Sequence, residues 1–138
     1  MTSFESGIKV IPYSQQAVYS KLSNLNNLEQ VKDRIPTDKI ENFQFDADSV
    51  SFNVSPVGNV CLNIIDRDPC KTVKFETAKS PIPCYLWIQL VAIDDTSCKM
   101  KLTIKAELNI FMKSMVSKPL QEGLEKIAEM ISQIPFEN

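Results

Sequence analysis

Apolar and polar residues alternate along most of this chain, and the alternation gives way to helical spacing in two stretches. Phe4, Ser6, Ile8 and Val10 alternate with Glu5, Gly7 and Lys9, the period of a strand with one buried face. Pro12 ends that strand. Ser14 stands where a helix N-cap belongs, its hydroxyl placed to accept a free N–H of the first turn. Ala17, Val18, Leu22 and Leu25 follow at helical spacing, and Asn24, Asn26 and Asn27 interrupt it. Leu28 and Val31 then predict a second short helix ending before Pro36.

From Ile40 the period returns to two. Phe43 and Phe45 alternate with Asn42, Gln44 and Asp46, and Ala47-Asp48 makes a tight connection. Val50, Phe52 and Val54 form the next strand, and Pro56 and Gly58 mark a turn. Val60, Leu62 and Ile64 follow, closed by Asp66-Arg67-Asp68-Pro69. Val73 and Phe75 face one way, Lys74 and Glu76 the other. Ser80-Pro81-Ile82-Pro83 leads to a long apolar strand from Cys84 to Ile93, and Asp94-Asp95-Thr96 predicts a hairpin turn. In the last strand Met100, Leu102, Ile104, Ala106 and Leu108 alternate with Lys99, Lys101, Thr103, Lys105 and Glu107. One wet face and one dry face is the habit of an antiparallel sheet covered on one side.

The chain closes with helical spacing from Ile110 to about Ile134. Phe111, Met115, Leu120, Leu124, Ile127, Ile131 and Ile134 make the expected apolar stripe. Pro119 cannot donate a backbone N–H, so a kink or a broken first turn is expected near it. Gly123 allows a close approach to the sheet or leaves room over a cavity.

Bulk properties narrow the function classes. The chain has 138 residues, 43% hydrophobic and 23% charged, which fits one α+β domain spanning residues 1–138. The net charge of −2 supplies no field for nucleic acid, so no nucleic-acid partner is expected. No apolar run approaches the roughly 20 residues of a membrane span, and the N-terminus has no signal-peptide pattern; the expected location is the cytoplasm. Cys61, Cys70, Cys84 and Cys98 form no C-x-x-C pair and there is no histidine, so four reduced cysteines are expected, with no metal site and no cofactor.

The element order is strand, two short helices, a meander of about six strands, and a long amphipathic helix. It resembles the helix-grip fold of the START and polyketide-cyclase superfamily (SRPBCC) over essentially the whole chain. Ile8-Lys9-Val10-Ile11-Pro12-Tyr13-Ser14 followed by Val18-Tyr19 is similar to the family's usual passage from first strand to first helix. Pro83-Cys84-Tyr85-Leu86-Trp87-Ile88-Gln89-Leu90, then Lys101-Leu102-Thr103-Ile104-Lys105-Ala106-Glu107-Leu108, and then Lys118-Pro119-Leu120-Gln121-Glu122-Gly123-Leu124 look like the closing strands and helix of small bacterial members. The resemblance implies a curved antiparallel sheet of about seven strands around the C-terminal helix, with an apolar cavity between them. It also implies a small hydrophobic ligand, lipid- or polyketide-like; some family members cyclise polyketides and others assist a chaperone.

The expected cavity residues are Phe43, Phe45, Phe52, Leu62, Phe75, Leu86, Ile88, Met100, Leu102, Ile104, Met115, Leu120 and Leu124. A solid core with no ligand space is the alternative. It pairs with a second function, a protein-interaction or chaperone-assisting module. Tyr85, Trp87 and Gln89 share the strand face opposite Leu86 and Ile88, which puts them outside; a bulge would reverse that. An outward Tyr85–Trp87 pair would offer a protein-partner surface. Catalysis is disfavoured, because the absence of histidine removes the ordinary Ser–His and Cys–His pairs. A cyclase-like enzyme would need a buried Asp, Glu or Tyr. Asp46, Asp48, Asp66 and Asp68 sit at strand ends, where turn-forming Asp is ordinary.

Overall fold

The computed structural model describes residues 2–26, 40–54, 58–79 and 83–133. Among these residues, eight antiparallel strands form one sheet. They are β1 (Thr2–Glu5), β2 (Lys9–Ile11), β3 (Ile40–Phe45), β4 (Ser49–Val54), β5 (Gly58–Asp68), β6 (Thr72–Lys79), β7 (Cys84–Asp94) and β8 (Ser97–Ala106). Helix α1 (Gln15–Leu22) follows β2, and helix α2 (Ile110–Ser132) closes the chain. The sheet order is β1-β8-β7-β6-β5-β4-β3, with β2 also paired to β8. The second short helix expected at Leu28 and Val31, the turn at Pro56, the segment 80–82 and Ile134 lie outside the described residues.

The expected first strand is two strands. β1 pairs with β8 from Thr2↔Ala106 to Glu5↔Thr103, and β2 from Lys9↔Met100 to Ile11↔Cys98. One extra residue lies between them, which makes a bulge. Ser6 holds it: its N–H donates to the Leu102 carbonyl at 2.9 Å, and its hydroxyl oxygen accepts the Leu102 N–H at 2.9 Å. The side chain thus does the work of a ladder carbonyl, which explains a buried serine among apolar residues. The bulge reverses the phase of the residues after it. Ile8 and Val10, expected on the dry face, are 64% and 62% exposed, and Ile11 is buried instead.

Further register shifts interrupt the β5–β6 pairing between Cys61 and Leu62 and between Ile64 and Asp66. Bulges bend a strand and increase its twist, and this sheet curves. The β5 strand runs through Asp66 and Arg67 to Asp68 and does not stop before them. A turn at Pro69 and Cys70 comes next, closed by the Lys71 N–H on the Asp68 carbonyl at 3.0 Å. Cys70 takes φ 67° there, the conformation this turn position normally gives to glycine.

Ser14 caps α1 as expected, its hydroxyl oxygen accepting the Ala17 N–H at 3.1 Å. The helix is tied down at both ends. Gln15 donates to the Leu90 carbonyl at 3.4 Å, and the Leu25 N–H donates to the Ala47 carbonyl at 3.0 Å. Arg67 reinforces the second tie by donating to the Ser23 carbonyl at 2.9 Å while pairing with Asp48. Asn109 caps α2 through the Met112 N–H at 2.7 Å. Twenty-three residues make a helix about 35 Å long.

The helix runs unbroken past Pro119, so the broken turn expected there is absent. Its apolar stripe also differs from the expected one. Val116, Leu124, Ala128 and Ile131 are buried, and Met112, Leu120 and Ile127 pack beside them. Phe111 is 73% exposed and Met115 50%. At about 100° per residue, Met115 lies half a turn from Leu124, nine positions on; a helix gripped by Leu124 and Ile131 must turn Met115 outward. At Gly123 an added Cβ would meet no neighbouring atom within 4 Å, so the residue serves no close approach. Gly123→Ala should therefore raise stability by about 1 kcal/mol through better helix propensity. Denaturant unfolding would measure it, and a loss of stability would contradict open space at that position.

Candidate functional site

The dry face of the sheet carries two cross-strand rows beneath α2. One runs Ile64–Phe75–Leu86–Ile104–Phe4, the other Val73–Ile88–Leu102. Period two puts each row on one side of the pleat, so the alternation in the sequence translates directly into an apolar floor. α2 lies closest to β1, β2 and β8. Hydrogen bonds fix it to that edge: Gln121 donates to the Glu5 carbonyl at 2.8 Å, and the Glu125 carboxylate accepts the Gly7 N–H and pairs with Lys9 at 3.6 Å.

With the helix held at one edge of a curved sheet, space is left beneath its C-terminal half. That space is a cavity of about 110 Å³, partly open to solvent. Its floor is Val50, Phe52, Leu62, Phe75, Leu86, Ile88, Leu102 and Ile104; its roof is Leu124, Ile127, Met130 and Ile131; Leu22 and Leu25 from the α1 end close one side. Every described side chain that lines it is Leu, Val, Phe, Ile or Met.

Of the residues expected here, Phe52, Leu62, Phe75, Leu86, Ile88, Leu102, Ile104 and Leu124 line the cavity. Phe45 and Leu120 pack against the core without reaching it, and Met100 is fully buried in solid packing. Met115 is on the outside because it lies half a turn from Leu124. The Phe43 side chain lies outside the described residues. The lining also takes in Val50, Ile127 and Ile131, whose periods mark them as inward, and Leu22, Leu25 and Met130. The helical spacing of Leu22 and Leu25 is visible in the sequence. Which part of the sheet they cover depends on the ties at Leu90 and Ala47, and no local pattern carries that.

Among the described residues, no ionisable side chain lines this space. Asp46 and Asp94 perform turn duty. The Asp46 carboxylate accepts the N–H groups of Asp48 and Ser49, each at 2.9 Å. Asp94 accepts the Thr96 N–H at 2.8 Å and the Thr96 and Ser97 hydroxyls. The Asp48 N–H on Asp46, and the Thr96 N–H on Asp94, are the largest of the interactions that hold these two carboxyls below their ordinary range. All four cysteines are free thiols, Cys98 buried and the others half-buried. Burial pushes the Cys84 thiol up to about 11 and raises Cys98 as well. Among the described residues, no three metal-ligating side chains cluster, and no helix is long and apolar enough to cross a membrane.

On the opposite face, Tyr85 and Trp87 are half-buried, with ring centroids 5.9 Å apart. Lys74 lies over both rings, at 4.9 and 5.2 Å, and Lys105 over Trp87 at 5.7 Å. Gln89 is outward too, accepting the Thr103 hydroxyl at 3.1 Å. On the same strand β8, Lys101 pairs with Glu5 at 3.4 Å.

No protein-family model matches the chain, and no curated protein does. Solved structures match in fold. Norcoclaurine synthase from Thalictrum flavum superposes with a TM-score of 0.74 at 15% identity, covering 99% of this chain and 87% of that one. The same enzyme in complex with dopamine and hydroxybenzaldehyde gives 0.71 at 15% identity, over 96% and 84%. A START superfamily protein from Mycobacterium smegmatis gives 0.57 at 9% identity, over 94% and 98%. The chain thus shares the helix-grip fold of these structures, a curved antiparallel sheet packed against a long C-terminal helix.

The thiol environment is open to direct measurement. At pH 8 Cys84 should alkylate roughly tenfold slower than an unperturbed thiol, because so little of it is thiolate. Folding favours its neutral form, so its contribution to stability is intact below the ordinary thiol value and fades as pH rises from there towards about 11. Site-resolved alkylation by mass spectrometry checks this; Cys84 reacting at the rate of a free thiol would contradict it.

Proposed function

We propose that the chain binds a small hydrophobic molecule, lipid- or polyketide-like in its apolar character, between the sheet and α2, without catalysing a reaction on it. The observation that carries this is the wholly apolar lining of a cavity in a fold whose core could have been filled. Native packing leaves few voids larger than a water molecule, and an apolar void gives up dispersion contacts that a hydrophobic guest restores.

A cyclase-like enzyme fits less well. The norcoclaurine synthase structure holds dopamine and hydroxybenzaldehyde, both polar molecules. Here, among the described residues, no lining side chain can donate or accept a proton, and acid–base catalysis needs such a group within hydrogen-bond reach.

Native mass spectrometry of freshly purified protein is the test. A bound apolar molecule is expected, and Ile127→Phe, which fills the cavity from its roof, should lower its occupancy with the fold retained. Recovery of ligand-free protein whose melting temperature no apolar compound raises would overturn the proposal.

A second reading, a protein-interaction or chaperone-assisting module, is favoured by the Tyr85–Trp87 pair on the outer face. Amphipathic aromatics flanked by cations are common anchors at interfaces. If that surface binds a partner, Trp87→Ala should lose a protein that the native chain captures; equal capture by both would remove the surface from consideration.

A further inference from the structure

We infer that the group this cavity accepts is a bare hydrocarbon of one aromatic ring or a short alkyl chain, and that the cavity discriminates against any hydroxyl carried inside it. This rests on the proposed binding of a hydrophobic molecule and sets the chemical class of that ligand.

Two observations carry it. The first is the chemistry of the walls. Each floor strand from β4 to β8 has a paired strand on both sides, and the roof side chains come from α2, so ladder and helix engage most of the backbone N–H and C=O groups around the space. Among the described residues, none of the side chains that line the space carries a nitrogen or oxygen, so no lining side chain aims a donor or acceptor into it. A hydroxyl carried inside would give up its water and gain nothing. Any polar end of a larger ligand must therefore remain at the open side.

The second is size. At about 110 Å³ the space falls well below the roughly 300 Å³ at which pockets for drug-sized ligands begin. It is close to the roughly 150 Å³ apolar void that stays dry and takes benzene. A four-ring sterol or a full polyketide chain is too large to be enclosed in it. Phe52 and Phe75 in the floor can meet a guest ring edge-to-face, and Met130 in the roof can adjust to its outline.

Toluene and para-cresol differ by one hydroxyl on the same ring, and dodecanoate adds a chain too long for the space. Each would be titrated into the full chain while the methyl resonances of Ile88, Leu102 and Leu124 are followed by NMR. Toluene should shift these methyls and bind at least roughly tenfold tighter than para-cresol, the discrimination expected for an unpaired buried hydroxyl. Para-cresol binding as tightly as toluene would overturn the inferred class and leave the binding proposal standing. Dodecanoate shifting the methyls while toluene does not would do the same. No shift with any of the three would overturn both.

Discussion

The apolar side of α2 can be buried in only one place, the dry face of the sheet, and the rest of the molecule is arranged around that contact. Leu124, Ala128 and Ile131 anchor it. Burying such side chains stabilises the fold by about 1.5–3 kcal/mol each for the larger ones, more than the exposed polar ties at the helix edge are worth. The ties set position. Glu125 on Gly7 and Lys9, with Gln121 on Glu5, hold the helix over β1, β2 and β8. The bulges in β5 curve the far side of the sheet, and α1 closes that side. The cavity is the volume these constraints do not let the core fill.

Much of this was legible in the sequence because antiparallel sheets write their two faces as alternation. The strands from β4 to β8, the Ser14 cap and the outward side of Trp87 all follow from period and from turn chemistry. The departures have local physical causes. Ser6 looks like a weak member of an alternating strand, but its hydroxyl replaces a ladder group and shifts the phase, and so Ile8 and Val10 face solvent. The Phe111–Met115 end of the stripe fails on helix geometry: residues that look periodic over thirteen positions drift around a helix of 3.6 residues per turn. Met100 faces inward as its period requires, yet whether an inward residue meets a void or a neighbour is set by tertiary packing, which no single-strand pattern contains.

The same division separates the chemistry. Charge and hydrogen-bonding capacity lie on the outer face and at the turns, where Asp46, Asp94 and the Lys101–Glu5 pair serve structure. Among the described residues, the side chains lining the inner space carry none. The described side chains that line it present only carbon and sulfur, and functions are set by the side chains placed on a fold and not by the fold itself.

A ligand-sized apolar space lies beneath the C-terminal half of α2. Xenon binds empty apolar cavities. A crystal pressurised with xenon should show a xenon site among Phe75, Leu102 and Leu124. Continuous side-chain density there, with no xenon and no gap, would contradict the account.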